Sequence, residues 1–505
     1  MKIAVIGSGV AGLTAGAVLV QAGHEVTVFE AYHRPGGVTA SFERDGYKWD
    51  LGQLIVEGYG PGEPCGRILA DLGVADQLNL RKEDRGYVFP DFELRKPAEP
   101  GAPTWRMQRL KEIFPAQSAG LDRYWKDYLR FTRLMTIARQ LDLVTGWDKL
   151  ATQARLYTAL APFLTRLNWS AQKLMDSYFS DEKLKAVFIS ILADFFTPPS
   201  RFTGLGVFAL NAEATFDNRL PAELEPGCVQ LYQYSILGGV STLVDALVAR
   251  ILMGGGKVLA SRPIGQIRVE NGHVSGVADT DGNFFPAQAV VATGAAKETF
   301  LKLVGEPNLP PEFAARVKGL PLIDSIFMVH LGLDYDPSPH LHGPVTYFYG
   351  TYDIEGGIET AHQGLYHEGR DGFVVHQPTL HSPEMAPEGH HALTIYTICP
   401  DKLKDGSWAE KKQQYADKLV EYAEQRIPGL KEHTMVRAIL TPEDFRSRTF
   451  VEHHAFGGLA PLMDAKKITF KTPIAGLWYA GAQSESGGGV AAVMQGAYKM
   501  AKSVR

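Results

Sequence analysis

Residues 2–31, KIAVIGSGVAGLTAGAVLVQAGHEVTVFEA, carry the pattern that decides the fold. Ile3, Val5 and Ile6 form a short β-branched run, Gly7, Gly9 and Gly12 come close behind, and an apolar helical stretch runs from Val10 to Gln21 before Gly23 ends it. A second strand, Glu25 to Phe29, comes next. The segment therefore reads as strand, glycine turn, helix, strand: one βαβ unit. No charge occurs from Ile3 to Gly23 and Lys2 stands before the run, which superficially resembles a signal peptide or short membrane span. Gly7, Gly9, Gly12 and Gly16 interrupt it and argue against a continuous greasy helix.

Gly7-Ser8-Gly9-Val10-Ala11-Gly12 is a G-x-G-x-x-G motif in its required context, between a strand and a helix. The first glycine allows the turn, the second lets backbone amides approach a pyrophosphate, and the third packs helix against strand. The helix N-terminus adds a positive dipole for the phosphates. Glu30 lies 18 residues after Gly12, at the end of the second strand, where its carboxylate can accept hydrogen bonds from an adenosine ribose, with Ala31 beside it. This fingerprint predicts dinucleotide binding without separating NAD from FAD.

Outward from this unit, 505 residues exceed one ordinary core, so two or three domains are expected. With 45% hydrophobic, 21% charged and 10% aromatic residues, the chain has the mixture of a packed globular protein, not of a disordered or fibrous one. A net charge of −5 gives no reason to expect a nucleic-acid partner. Cys65, Cys228 and Cys399 are too far apart for a CxxC motif or a disulfide framework, which fits a reducing, cytoplasmic compartment.

From Arg106 to Met175 the periodicity becomes helical and aromatic, with Leu156, Leu160, Phe163, Leu164 and Leu167 at helix spacing. Residues 101–175 hold twelve Lys or Arg against five Asp or Glu, and none of the acids falls between Lys149 and Met175. Such a segment suits contact with an anionic membrane surface as well as it suits a solvated helix face. Further on come a helix over Ser241–Met253, short alternating strands with turns at Asn271-Gly272 and Asp281-Gly282, and a buried strand over Ala289–Ala292. Residues 306–464 mix proline-containing loops with a strand over Ala392–Ile398 and a polar helix over Trp408–Arg426, and the chain closes with strand, glycine-rich turn and helix.

After the second strand come Arg34-Pro35-Gly36-Gly37 and then Asp45-Gly46-Tyr47-Lys48-Trp49-Asp50-Leu51-Gly52, where a simple NAD domain would begin its next helix. Here the chain resembles the phytoene desaturase and carotenoid isomerase family of FAD flavoproteins, with GG and then G-aromatic-x-aromatic-D-x-G. Gly238-Gly239 matches the family's helix opening, Ile264-Gly265-Gln266-Ile267 approximates its V-x-x-I strand, and Ala480-Gly481-Ala482 with Gly487-Gly488-Gly489-Val490 matches its terminal segment. HSPEMAPEGHHAL, from His381, resembles a further family segment, with Ser382 where Asp is usual. Val38 stands where related amine oxidases carry Arg, and Ala482 where glutathione-reductase-like flavoproteins carry Asp.

The resemblance implies an α/β fold: a Rossmann-like FAD-binding domain of βαβ unit plus β-meander, with a mixed α+β substrate domain. The first would comprise residues 1–80, 235–305 and 465–505; the second, 81–234 and 306–464. It implies Gly37 and Val38 under the diphosphate and ribityl chain, Gly52, Gln53 and Leu54 beside the isoalloxazine, and the Ile264 backbone at the adenine. Thr293, Gly294, Gly481 and Ala482 join the cofactor set, and a helix starting near Gly488, Gly489 and Val490 would aim its N-terminus at the flavin. The implied activity is desaturation or cis–trans isomerisation of a carotenoid or similar hydrophobic polyene, taken from a membrane surface. A saturase or amine-oxidase-like activity, or flavin and lipid binding without turnover, are the alternatives. Glu57 and Glu485 are the candidate catalytic acids, each weighed against a rim or helix-capping role. His390-His391 and His453-His454 lack a recognisable ligand spacing, so no metal is expected.

Overall fold

The structure is a computed structural model that describes residues 1–52, 54–451, 458–463 and 465–504. The strand Lys2–Ile6 lies at the centre of a five-stranded parallel sheet, ordered Lys257–Leu259, Glu25–Phe29, Lys2–Ile6, Ala289–Ala292 and Leu477–Tyr479. Val5, Val28, Val290 and Val291 are buried, as strands covered on both faces require. On one face the helix Val10–Gln21 packs between the helices Ser241–Met253 and Val490–Ala501. The other face is covered by a three-stranded antiparallel meander, Ile264–Glu270, His273–Asp279 and Phe284–Pro286, and by the segment around Phe300 and Phe313. The fold is α/β as expected, and its first three elements fall on the expected residues.

A second sheet has seven strands, in the order Thr434–Leu440, Ser325–Leu333, His391–Cys399, Gly372–His376, Val345–Tyr349, Arg85–Val88 and Glu93–Leu94. Its neighbours run antiparallel except Val345–Tyr349 against Arg85–Val88. Because side chains alternate along a strand, one face collects Phe327, Val329, Leu331, Val375, Leu393 and Ile395, which pack with Trp408 and Leu419 of the helix Trp408–Glu424. The opposite face collects two transverse rows. One is His330, Thr394, His376, Val345 and Arg85; the other is Met328, Tyr396, Val374, Tyr347 and Tyr87.

The region after residue 101 is helical, over Trp105–Ile113, Ser118–Leu141 and Gly146–Leu160, then a tight turn at Ala161–Arg166. The leucine stripe departs from expectation: Phe163 is buried, and Leu156 and Leu160 are half-buried against the same core. The helix ends at Leu160 and Pro162 falls in the tighter turn, so the α-helical spacing does not carry through. The outward apolar stripe is instead Trp147, Leu150, Tyr157 and Leu164, with Leu167 beyond it. Much of the positive charge is also spent internally. Arg106 is fully buried in a pair with Glu213 (2.7 Å), and Arg130 and Arg166 share Asp127. Lys149 and Arg155 remain exposed.

The hairpin Ser41–Arg44/Tyr47–Asp50 locks the two sheets together. Trp49 is fully buried and donates its indole N–H to Leu331 O (3.1 Å) on the seven-stranded sheet. Burying an indole removes roughly 200 Å² from water, worth about 5 kcal/mol before entropy is counted. Asp50, only 3% exposed, accepts Ser41 Oγ–H (2.7 Å) and Val240 N–H (3.0 Å) at the start of the helix Ser241–Met253. A side chain on Gly239 would meet Ser41 Oγ at 2.8 Å and Asp50 Oδ1 at 2.9 Å, so glycine is required there. Gly238 N–H donates to Ser382 Oγ (3.1 Å), and Tyr47 OH bonds His390 Nδ1 (2.5 Å). Three sequence motifs distant along the chain thus meet at one junction. Burial pushes the Asp50 carboxyl up to about 6, against the pull of these donors. Asp50→Ala leaves two donors without an acceptor and is expected to cost about 1–3 kcal/mol in thermal or denaturant unfolding. Asp50→Asn, whose amide oxygen still accepts, should lose clearly less.

Candidate functional site

Gly7 has φ +94°, and a Cβ on Gly12 would lie 1.9 Å from Gly7 O, so the turn closes only with glycine at both positions. Gly9 differs. Its φ of −65° suits any residue and a Cβ there would meet nothing within 4 Å, so the space beside it is open. The Gly36-Gly37 turn lies next to it: Gly36 N–H donates to Ser8 O, and Gly9 and Gly36 form a parallel bridge. Glu30 accepts Ser8 N–H (2.9 Å), Ser8 Oγ–H (2.5 Å) and Tyr32 N–H (2.8 Å), which fixes its carboxylate at the end of the second strand. Arg262 N–H donates to Glu30 O, so the chain leading to Ile264 runs beside Glu30, with Ala31 between Glu30 and Tyr32. Val10 and Ala11 are buried in the first turn of the helix.

At the far end, the Gly481 backbone (φ +116°) comes so close to Thr293 that a Cβ would lie 2.8 Å from its carbonyl oxygen. The Thr293 hydroxyl donates to Ile6 O (2.9 Å), and Gly294 O accepts Tyr479 OH (3.0 Å). Thr293 and Gly294 therefore fasten the strand ends, a structural use of two residues expected at the cofactor. The helix Val490–Ala501 starts after Gly489 (φ +90°), and Cβ atoms on Gly487 or Gly489 would meet nothing within 4 Å. Gly488 is exposed, and Ala482 lies beside Gly458.

Neither this helix nor Val10–Gln21 has a side-chain cap or an acid in its first turn. Two positive helix ends, open glycine cradles and a fixed Glu30 carboxylate fit the diphosphate, ribose and electron-rich ring of FAD. Val38 and Leu54 pack together with Ile326, Met328 and Tyr396 of the seven-stranded sheet, which ties the cradle to the sheet's site face, and Gly52 is half-buried nearby. Gln53 lies outside the described residues, as do His453 and His454.

The two candidate acids separate. Glu485 is exposed and accepts Phe470 N–H (2.7 Å), while its own N–H donates to Ile468 O, so it fastens a loop. Glu57 pairs with Gln233 across two short strands. Its side chain keeps accessible surface, yet desolvation pushes its carboxyl up from the usual value, with Arg85 and Arg139 pulling it back.

A hollow lies against the sheet face and is lined by Tyr347, Tyr349, Tyr396, Val374 and Ile398, with Asp194 among them. Asp194 accepts Tyr347 OH (3.0 Å) and is pushed by burial up to about 6, opposed by that bond and by Arg85. In the adjacent row of the same face His330 donates to or accepts from Thr394 Oγ1 (3.0 Å); burial pushes both His330 and His376 down to about 3, so both are neutral at pH 7. Sequence reasoning passed over these residues. Val345–Tyr349, with tyrosines at alternate positions, carries a strand signal, but its partner Arg85–Val88 is not readable from either segment alone.

The model of the family described as flavin containing amine oxidoreductase matches residues 10–504, and the chain belongs to that family. It is an FAD-dependent oxidoreductase. It is 24% identical to a 4,4'-diapolycopen-4-al dehydrogenase of Metabacillus indicus, over 100% of this chain and 97% of the relative. It is 23% identical to a prolycopene isomerase of an Oncidium hybrid cultivar, over 88% of this chain and 72% of the relative. Among solved structures, an oxidoreductase from Methanosarcina mazei superposes with a TM-score of 0.61 at 20% identity, covering 99% of this chain and 100% of the other. Cyclohexylamine oxidase from Brevibacterium oxydans gives 0.59 at 14% identity, covering 100% and 98%.

The glycines predict two distinct failures. Gly9→Ala should fold with an unchanged melting temperature but lose FAD, read as flavin absorbance per polypeptide, because the methyl enters the open cradle. Gly12→Ala should instead fail to fold or melt far lower, because its methyl collides with Gly7 O.

Proposed function

We propose that this oxidoreductase acts on a long hydrophobic polyene of the carotenoid type, desaturating or isomerising it. The observation that carries the reading is the aromatic hollow on the sheet face, joined to the cofactor cradle through Tyr396 and Leu54. The relatives named for diapolycopene and prolycopene chemistry support it. In this reading residues 1–80, 235–305 and 465–505 hold the cofactor, and 81–234 with 306–464 hold the substrate. Bound FAD supplies two-electron redox chemistry. Ser8, Gly9, Gly37 and the terminal helix hold it; Glu30 positions its ribose end; Tyr347, Tyr349 and Tyr396 exclude water and align an extended apolar chain.

Glu57 is the acid we assign to proton movement or to stabilising positive charge on the polyene, because the Arg85 guanidinium acts both on its carboxyl and on that of Asp194 in the hollow. A linear polyene such as lycopene, offered to the holoenzyme in liposomes, should return a product changed in double-bond number or geometry by chromatography. Oxidation of putrescine with the polyene untouched would overturn the reading. Glu57→Gln should keep its flavin while turnover falls by about 10²-fold. Glu485→Gln should turn over normally, since its carboxylate holds only Phe470.

Substrate of this kind is stored in membranes, and we propose peripheral docking through the stripe Trp147, Leu150, Tyr157 and Leu164. Trp147 is 85% exposed, and Lys149 and Arg155 lie on the same helix. Among the described residues no helix is long and apolar enough to cross a membrane. Shallow insertion of the stripe combined with roughly 1 kcal/mol per basic residue near an anionic surface accounts for salt-sensitive binding. Flotation should recover the protein with anionic vesicles, less with neutral ones, and least for Trp147→Ser/Leu164→Ser. Equal recovery with both vesicle types would sink the idea.

A further inference from the structure

A hydrocarbon forms no hydrogen bonds, yet the hollow offered to it carries a set of polar groups that a hydrocarbon leaves unmet. Asp194 lines the hollow and spends one carboxyl oxygen on Tyr347 OH. Tyr349 also lines it, is 8% exposed, and its hydroxyl makes no hydrogen bond. The neighbouring Tyr87 hydroxyl and Ser190 Oγ are likewise buried without partners. Even if these three hydroxyls turned toward one another, a chain of three has two links, so one O–H would still need an acceptor. Behind them Arg85, 5% exposed, bonds Leu210 O through Nη2, has no partner for Nε, and stacks near Tyr87, Phe216 and Tyr347. A buried donor without an acceptor is costly, and here several cluster behind Tyr349.

We propose that Tyr349 and Asp194 form a subsite for a hydroxyl group at the end of the polyene, so that the substrate is an oxygenated isoprenoid and not a bare hydrocarbon. This rests on the polyene reading above. A hydroxyl answers both sides of the subsite, accepting from Tyr349 O–H and donating to the free oxygen of Asp194. The Arg85 guanidinium, close behind, favours the ionised carboxylate that such a donor requires. A substrate lacking the oxygen leaves both groups buried and unpaired, which is how a built polar site rejects an analogue without its hydroxyl.

The test compares two polyenes of equal length, one hydrocarbon and one bearing a terminal hydroxyl, as substrates of the flavin-loaded enzyme in liposomes. The expected result is a kcat/KM at least tenfold higher for the hydroxylated chain. In Tyr349→Phe and Asp194→Asn, each checked for full flavin content, that ratio should fall toward one. Equal kcat/KM for the two substrates in the unaltered enzyme, or a ratio unchanged in both variants, would overturn the subsite. Conversion of neither polyene by flavin-loaded enzyme would instead overturn the polyene reading, and the subsite with it.

Discussion

At the cofactor end, backbone meets backbone at distances that no side chain permits. Gly12 leans on Gly7 O, Gly7 on the Thr293 hydroxyl, and Gly481 on the Thr293 carbonyl, so three parallel strands and two helices converge on one turn. That crowding leaves open space beside Gly9 and beside Gly487 and Gly489 at the start of the terminal helix. The dinucleotide cradle we propose is thus a by-product of tight packing behind it. Changes that loosen the packing should be felt as lost cofactor even where they touch nothing that binds it.

The same constraint explains why the first βαβ unit, the helix Ser241–Met253 and the strand Ala289–Ala292 are legible in the sequence. Their signals are local: glycine spacing, β-branched runs and helix terminators. The resemblance motifs around Asp50, Gly239 and Ser382 are equally visible, but what they do is not. Each reads only as a family signature, whereas together they form the Asp50 junction between the sheets. The leucine stripe shows another limit, since helical spacing gives the face of a helix but not which face meets the core. Glu57 and Glu485 looked equivalent because sequence gives neighbours along the chain and not the loop that Glu485 fastens.

The seven-stranded sheet was the least readable element and carries the most chemistry. Its register aligns His330, Thr394, His376 and Arg85 in one row and Tyr396, Tyr347 and Tyr87 in the next, although they come from five strands scattered over the chain. Placing a guanidinium and neutral histidines on a buried face, with the Asp194 carboxyl bonded to Tyr347 of that face, is costly for stability. The fold tolerates it because the opposite face is largely apolar beneath the helix Trp408–Glu424. One side of the sheet anchors it, which frees the other for recognition.

The order of strands in the parallel sheet has a further consequence, for how the protein is made. Lys2–Ile6 can pair with Glu25–Phe29 as soon as both have emerged, but its other neighbour is Ala289–Ala292, and the sheet closes only with Leu477–Tyr479. At roughly 5–20 residues per second of synthesis, the first strand and the last are separated by roughly 25–95 s. Through that interval first the edge of Lys2–Ile6 and then that of Ala289–Ala292, with the apolar flank of the helix Val10–Gln21, lie bare, an invitation to pair with the wrong chain. A nascent chain of this design relies on being shielded until its last helix arrives, and truncation near the C-terminus leaves the whole sheet unfinished.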